Sequence, residues 1–137
     1  LIADGHHVHP GAMRLCCCCA KDRTVLITDA MQAAGMPDGR YTLCGGNVEM
    51  QGGVVRTASG GLAGSTLALD AAVRNMVEHT GVAPEQAIHM ASLHPARLLG
   101  MDHLLGSLAP GKRANIIALD AGLHLRQIWI QGQALSL

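Results

Sequence analysis

Two short apolar runs, each cut off by an aspartate, constrain most strongly what this chain can fold into. Leu1–Ala3 stops at Asp4, and the β-branched run Val25–Thr28 stops at Asp29. A short apolar run without alternation reads as a fully buried strand. Each run therefore ends by delivering a carboxylate at its C-terminal end. Between them, Pro10 suits a first helical position, and "GAMRLCCCCA" continues as an apolar helix ending near Lys21. Strand end, helix and strand in this order predict parallel pieces of an α/β layer.

Beyond Asp29, "AAGMPDGR" is loop. "RYTLCGGNVEMQGGVVRT" holds strand-like runs parted by glycine pairs and predicts a β-meander. "GGLAGS" is a glycine-rich turn, with Ser65 expected as the N-cap of a helix over Thr66–His79 that Gly81 terminates. "APEQAIHMASLHPARLLG" predicts two short helices, one begun by Pro84 and one just after His94-Pro95. "GSLAPGKRANIIALD" and "LRQIWIQGQAL" read as strands joined by tight turns.

With 137 residues, 49% of them hydrophobic, the chain can bury a real core. One Trp, one Tyr and no Phe leave that core to aliphatic and Met side chains. Such a core gains less area per residue than one with rings, which favours packing against something further. A formal net charge of zero argues against broad attraction to nucleic acid or anionic membranes. No apolar stretch approaches the roughly 20 residues of a membrane span, and the start lacks the zones of a signal peptide. Four of the five cysteines are contiguous, which suits no disulfide framework; a reducing cytoplasm is expected.

Three stretches could carry chemistry. Asp29, at the end of a buried strand and shielded from water, could serve as general base or acid, or merely cap a loop. "ADGHHV" places His6 and His7 side by side, with His7 and His9 on one face if the segment is extended. A zinc site from His7, His9 and Cys16–Cys19 is conceivable. Only Cys16 and Cys19 of that run share a helical face, however, and cysteine is commonly a small buried hydrophobe. Cys44 reads as structural. "GGLAGS", Gly60–Ser65, allows close backbone approach to a ligand but lacks a P-loop ending. His79 suits a helix end, while His89, His94, His103 and His124 have no partner at ligand spacing.

Taken together, "IADGHHV", "LITDAM", "GGLAGSTLALDAAVRNMVEHTG", "ASLHPARLLG" and "GSLAPGKRANIIALD" resemble the successive C-terminal motifs of the amino-sugar-6-phosphate deacetylases of the amidohydrolase superfamily. The resemblance covers essentially the whole chain. It implies an α/β fold, namely the C-terminal part of a (β/α)8 TIM barrel plus strands of a small β-sandwich. Residues 1–113 would end the barrel and 114–137 would enter the sandwich. A full barrel takes about 250 residues, so the chain would be the last third of the enzyme.

The implied activity is hydrolysis of the acetamide of an N-acetylhexosamine 6-phosphate. The "CCCCAKD" and "MQAAGMPDGRYTLCG" stretches favour the galactosamine epimer, with glucosamine next. By this resemblance Asp29 is the catalytic aspartate. Asp4, Gly5, His6 and His7 contact substrate, and Leu62, Ala63 and Gly64 lay their backbone against the sugar phosphate. A divalent metal ion, zinc or similar, is implied, with ligands outside this chain and none within it. A homo-oligomer is expected when the enzyme is complete, and no nucleic acid or membrane partner. The alternatives are an inactive remnant packed on a partner chain, and the small Cys/His zinc module.

Overall fold

A computed structural model describes residues 1–136; residue 137, the last of the expected sandwich span, lies outside the described residues. In chain order the elements are α1 (Pro10–Ala20), β1 (Gly39–Leu43), β2 (Gly46–Gln51), β3 (Val54–Thr57), α2 (Leu69–Thr80), α3 (Pro84–Ala91), α4 (Leu93–Leu98), β4 (Ile116–Leu119), β5 (Leu125–Ile130) and β6 (Gln133–Leu135).

The two apolar runs do lie side by side and parallel, but as a single bridge, Ile2 to Ile27, rather than as full strands. The bridge is flanked by the Leu1 amino group on the Val25 carbonyl at 2.8 Å and the Ile27 amide on the Leu1 carbonyl at 3.0 Å. Burial alternates. Leu26 and Ala3 point into a core with Met13 of α1, Ala72, Val73 and Met76 of α2, and Ala87 and Met90 of α3, whereas Ile27 is 49% exposed. The expected strand buried on both faces is therefore corrected. Helices cover one face, and nothing among the described residues covers the other. Unbranched methionine lets this core close without rings, because its flexible thioether fills irregular gaps.

Helix α1 begins as expected. Pro10 opens it and the His9 ring accepts the Gly11 amide at 3.1 Å. This cap corrects the pairing of His9 with His7. Helix α2 starts at Leu69, three residues later than expected, and Ser65 is not its cap. The Ser65 hydroxyl donates to the Thr28 carbonyl and accepts the Leu67 amide, holding 65–67 out of the helix. Gly81 ends α2 at φ 73°, its amide on the Val77 carbonyl. Helix α4 starts at Leu93, ahead of His94-Pro95, because proline is tolerated within a first turn. His94 is buried with Nδ1 on the Thr24 carbonyl at 2.8 Å, pinning α4 to the start of the second run.

The expected meander is present as β1-β2-β3, and a second sheet runs β4-β5-β6, both antiparallel. Three of the hairpins turn through two residues at positive φ: Cys44-Gly45, Gly52-Gly53 and Gln131-Gly132. That backbone twist matches the right-handed twist of the flanking strands. Cys44 is thus an exposed turn residue rather than a packed one.

Asp120 organises the β4–β5 connection. Its carboxylate accepts the His124 and Gly122 amides, each at 2.9 Å, and Arg126 Nη2 at 2.6 Å. His124 thereby has a neighbour, with Nδ1 3.3 Å from Asp120 Oδ1. The His124 amide, with Arg126 and the Gly122 amide, pulls Asp120 down from 3.8 to about 2. A depressed carboxylate holds the loop above the unfolded value and releases it as pH falls through the folded one. Amide chemical shifts of Gly122 and His124 should therefore titrate together near pH 2. A shared midpoint near 4 contradicts these contacts.

Candidate functional site

The parallel bridge aligns the residues that follow it. Asp4 lies two positions after Ile2 and Asp29 two after Ile27, so both acids leave the layer at the same end. A second parallel bridge, Ala30 to Ser65, brings the glycine-rich turn alongside. The Ser65 amide meets the Asp29 carbonyl at 2.8 Å, and the Met31 amide meets the Ser65 carbonyl at 2.9 Å. Leu62 bridges to Arg56, joining this edge to the meander. Of the expected site residues, Asp29 and Gly64 line one cavity, whereas Asp4, Gly5, His6, His7, Leu62 and Ala63 do not line it.

Asp4 is the hub of the first segment. Oδ1 accepts the His6 and His7 amides, both at 2.9 Å, and Oδ2 lies 2.6 Å from His7 Nδ1. Gly5, at φ 77°, lets the chain turn tightly enough for this. Partial burial acts to raise the Asp4 carboxyl, but the His7 amide and ring and the His6 amide outweigh it and hold it below 3.8. An ionised carboxylate only accepts, so Nδ1 carries the hydrogen. In the neutral form of the His7 ring, that tautomer presents Nε2 as an acceptor for a ligand hydroxyl. His6 is exposed, and its ring makes no contact with Asp4 or His7 among the described hydrogen bonds.

Asp29 sits at φ 54°, a left-handed position that aspartate tolerates better than most residues and that recurs at functional sites. Its carboxylate is exposed, which corrects the expected shielding: the uncovered face of the layer lies beside it. Asp29 and Gly64 line a cavity of about 470 Å³ with Ala30, Met31 and Gln32 and, from the β1–β2 hairpin, Thr42, Leu43 and Cys44. Gly64, at φ 65°, packs its Cα against Met31; a Cβ there would lie 3.3 Å from that side chain. Leu62 is half-buried and Ala63 buried. The sequence marks this hairpin as meander but not as a cavity wall; the nine-residue gap between Asp29 and Gly39 is the signal for it. A second cavity of similar volume, between α2, α3 and β4, contains none of the expected site residues.

Among the described residues, no three His, Cys, Asp or Glu side chains come together as a metal-binding group. The cysteine run spreads around α1: Cys17 lies against Thr80 of α2 at 3.6 Å, while Cys18 and Cys19 are exposed. No helix among the described residues is long and apolar enough to cross a membrane.

Parallel strand pieces backed by helices, beside two antiparallel sheets, define an α/β protein. The profile of the amidohydrolase family matches residues 1–135. The chain belongs to that family. Over 136 residues it is 80% identical to N-acetylgalactosamine-6-phosphate deacetylase of Escherichia coli O157:H7, covering 99% of this chain and 36% of that protein. It is also 80% identical to a shorter Escherichia coli K12 protein provisionally given the same name, covering 81% of it. The crystal structure of N-acetylglucosamine-6-phosphate deacetylase from Pasteurella multocida superposes with a TM-score of 0.96 at 29% identity, over all of this chain and 36% of that one.

Proposed function

We propose that this chain is part of a hydrolase that removes the acetyl group of an N-acetylhexosamine 6-phosphate, the galactosamine epimer first. The similarity in sequence to the Escherichia coli deacetylase supports the substrate class. The observation that supports the reading is the pair of parallel bridges on either side of Asp29 in the chain, Ile2 to Ile27 and Ala30 to Ser65, with Asp29 and Gly64 lining one cavity.

In this reading Asp29 moves the proton. Its carboxylate accepts a proton from the attacking water as the water oxygen bonds to the acetamide carbonyl carbon. The same proton then passes to the amide nitrogen as the C–N bond breaks, leaving acetate and the amino sugar phosphate. His7 Nε2 accepts a sugar hydroxyl, and Asp4 fixes the ring that presents it. The backbone at Leu62, Ala63 and Gly64 lies along the phosphate end, where an absent Cβ allows close approach.

The divalent metal ion implied by the resemblance finds no ligand set here. Asp4 and His7 are committed to each other, and among the described residues no third ligand joins them or Asp29. Residues 1–113 are assigned to the catalytic layer and 114–137 to the sandwich, in a cytoplasmic homo-oligomer of the relatives' full length.

His7→Asn in that full-length enzyme should raise KM about tenfold, the loss of one ring contact, with kcat changed less than threefold. Steady-state acetate release checks this. An unchanged KM removes His7 from the substrate contacts.

A further inference from the structure

The far wall of the Asp29 cavity is built by a segment with no role in the mechanism above. Gln32, three residues after Asp29, extends its amide across to the β1–β2 hairpin. Nε2 donates to the Thr42 carbonyl at 2.5 Å and meets the Thr42 hydroxyl at 3.2 Å. Both Gln32 and Thr42 line the cavity with Asp29. With the amide nitrogen spent on the latch, the side-chain carbonyl Oε1 has no partner among the described residues.

The hairpin on which Gln32 leans is itself well fixed. Its two strands pair over five residues on each side, from Gly39–Met50 to Leu43–Gly46. The Tyr41 hydroxyl donates to the Pro37 carbonyl at 2.6 Å. Met31, between Asp29 and Gln32, packs with Tyr41 and Leu43 against the buried cluster of Ala33, Val48, Met50 and Val55. Gln32 is therefore held at both ends, by its backbone through Met31 and by its amide through Thr42. A polar group held so rigidly discriminates better than a mobile one, since it does not re-aim to suit a wrong ligand.

Resting on the deacetylase reading, we infer that Gln32, latched to the β1–β2 hairpin, is a substrate-contacting specificity residue. Its Oε1 accepts a hydroxyl of the hexosamine ring while Asp29 works on the acetamide. The galactosamine and glucosamine epimers differ only in the orientation of one ring hydroxyl. A fixed acceptor on one wall of the cavity tells such orientations apart, whereas the acetamide chemistry is common to both.

The test is steady-state acetate release by the full-length enzyme with N-acetylgalactosamine 6-phosphate and N-acetylglucosamine 6-phosphate, comparing Gln32→Leu and Gln32→Ala with the unaltered protein. Gln32 is exposed, so both variants should unfold at the same denaturant concentration as the parent. The expected result is a KM raised about tenfold for the better epimer, kcat within about threefold, and a preference between epimers reduced about tenfold. Unchanged KM and unchanged epimer preference in both variants overturn the inference while leaving the deacetylase intact. A parent enzyme that releases acetate from neither epimer overturns the reading beneath it, and the inference with it.

Discussion

Asp29→Asn in the full-length enzyme lowers kcat by about 10²–10⁴-fold, the usual worth of a positioned proton-transfer group, and leaves the fold in place. The substitution is mild for two structural reasons. Asn is one of the few residues that accept a left-handed backbone, so φ 54° at this position costs it no more than it costs aspartate. The contacts that hold residue 29 are its backbone carbonyl on the Ser65 amide and the bridge from Ala30, neither of which involves the carboxylate. What the amide lacks is the ability to accept a proton from water and return it to the leaving nitrogen. The loss should therefore fall on kcat, with KM changed little. Retention of more than a tenth of the parent kcat would place the proton transfer elsewhere.

The second large effect is on stability. Gly106 lies at φ 84° in the loop after α4. A Cβ there would sit 2.8 Å from the Ala96 Cβ and 3.0 Å from both the Leu93 Cα and the Ser92 carbonyl oxygen. Two of those three neighbours are backbone atoms and cannot swing aside. Gly106→Ala should cost about 3 kcal/mol, from left-handed strain of about 1–2 and overpacking of about 1–3. Gly100 provides the comparison. It too is left-handed, at φ 66°, but nothing lies within 4 Å of its added Cβ, so Gly100→Ala should cost only about 1 kcal/mol. Denaturant unfolding of both variants separates the two contributions. Equal losses would mean that the crowding around Gly106 relaxes freely.

The sequence made several of these features legible because local chemistry decides them. Pro10, Pro84 and Gly81 mark helix ends through their own backbone limits, and they do so at the positions expected. The glycine pair at 52–53 foretold a two-residue hairpin turn. Other features escaped because tertiary contacts override local preference. Ser65 is a good cap by composition, yet its hydroxyl is taken by Thr28, thirty-seven residues earlier, and α2 starts late. The second apolar run reads as fully buried, but burial requires a partner on each face and the described residues supply one. The Gln32–Thr42 latch joins a loop to a strand through one side-chain amide, and no periodicity announces such a contact.

For the candidate site the division is similar. Asp4 and Asp29 stand out as acids ending apolar runs, and the Ile2–Ile27 bridge aligns those runs; the glycine turn stands out by composition, and its Gly64 shares a cavity with Asp29. The hydrogen bonds that Asp4 accepts from the His6 and His7 amides depend on a turn through Gly5 that an extended reading of "ADGHHV" does not contain. The same turn frees His7 from sharing a face with His9, which caps α1 instead.

The most direct test is a crystal structure of the full-length Asp29→Asn enzyme soaked with N-acetylgalactosamine 6-phosphate, in which slow turnover preserves the substrate. The predicted complex has the acetamide within hydrogen-bond reach of residue 29, about 2.6–3.2 Å directly or through one water, and the phosphate end along Leu62–Gly64. A sugar seated in the cavity between α2, α3 and β4, with residue 29 facing empty solvent, would contradict it.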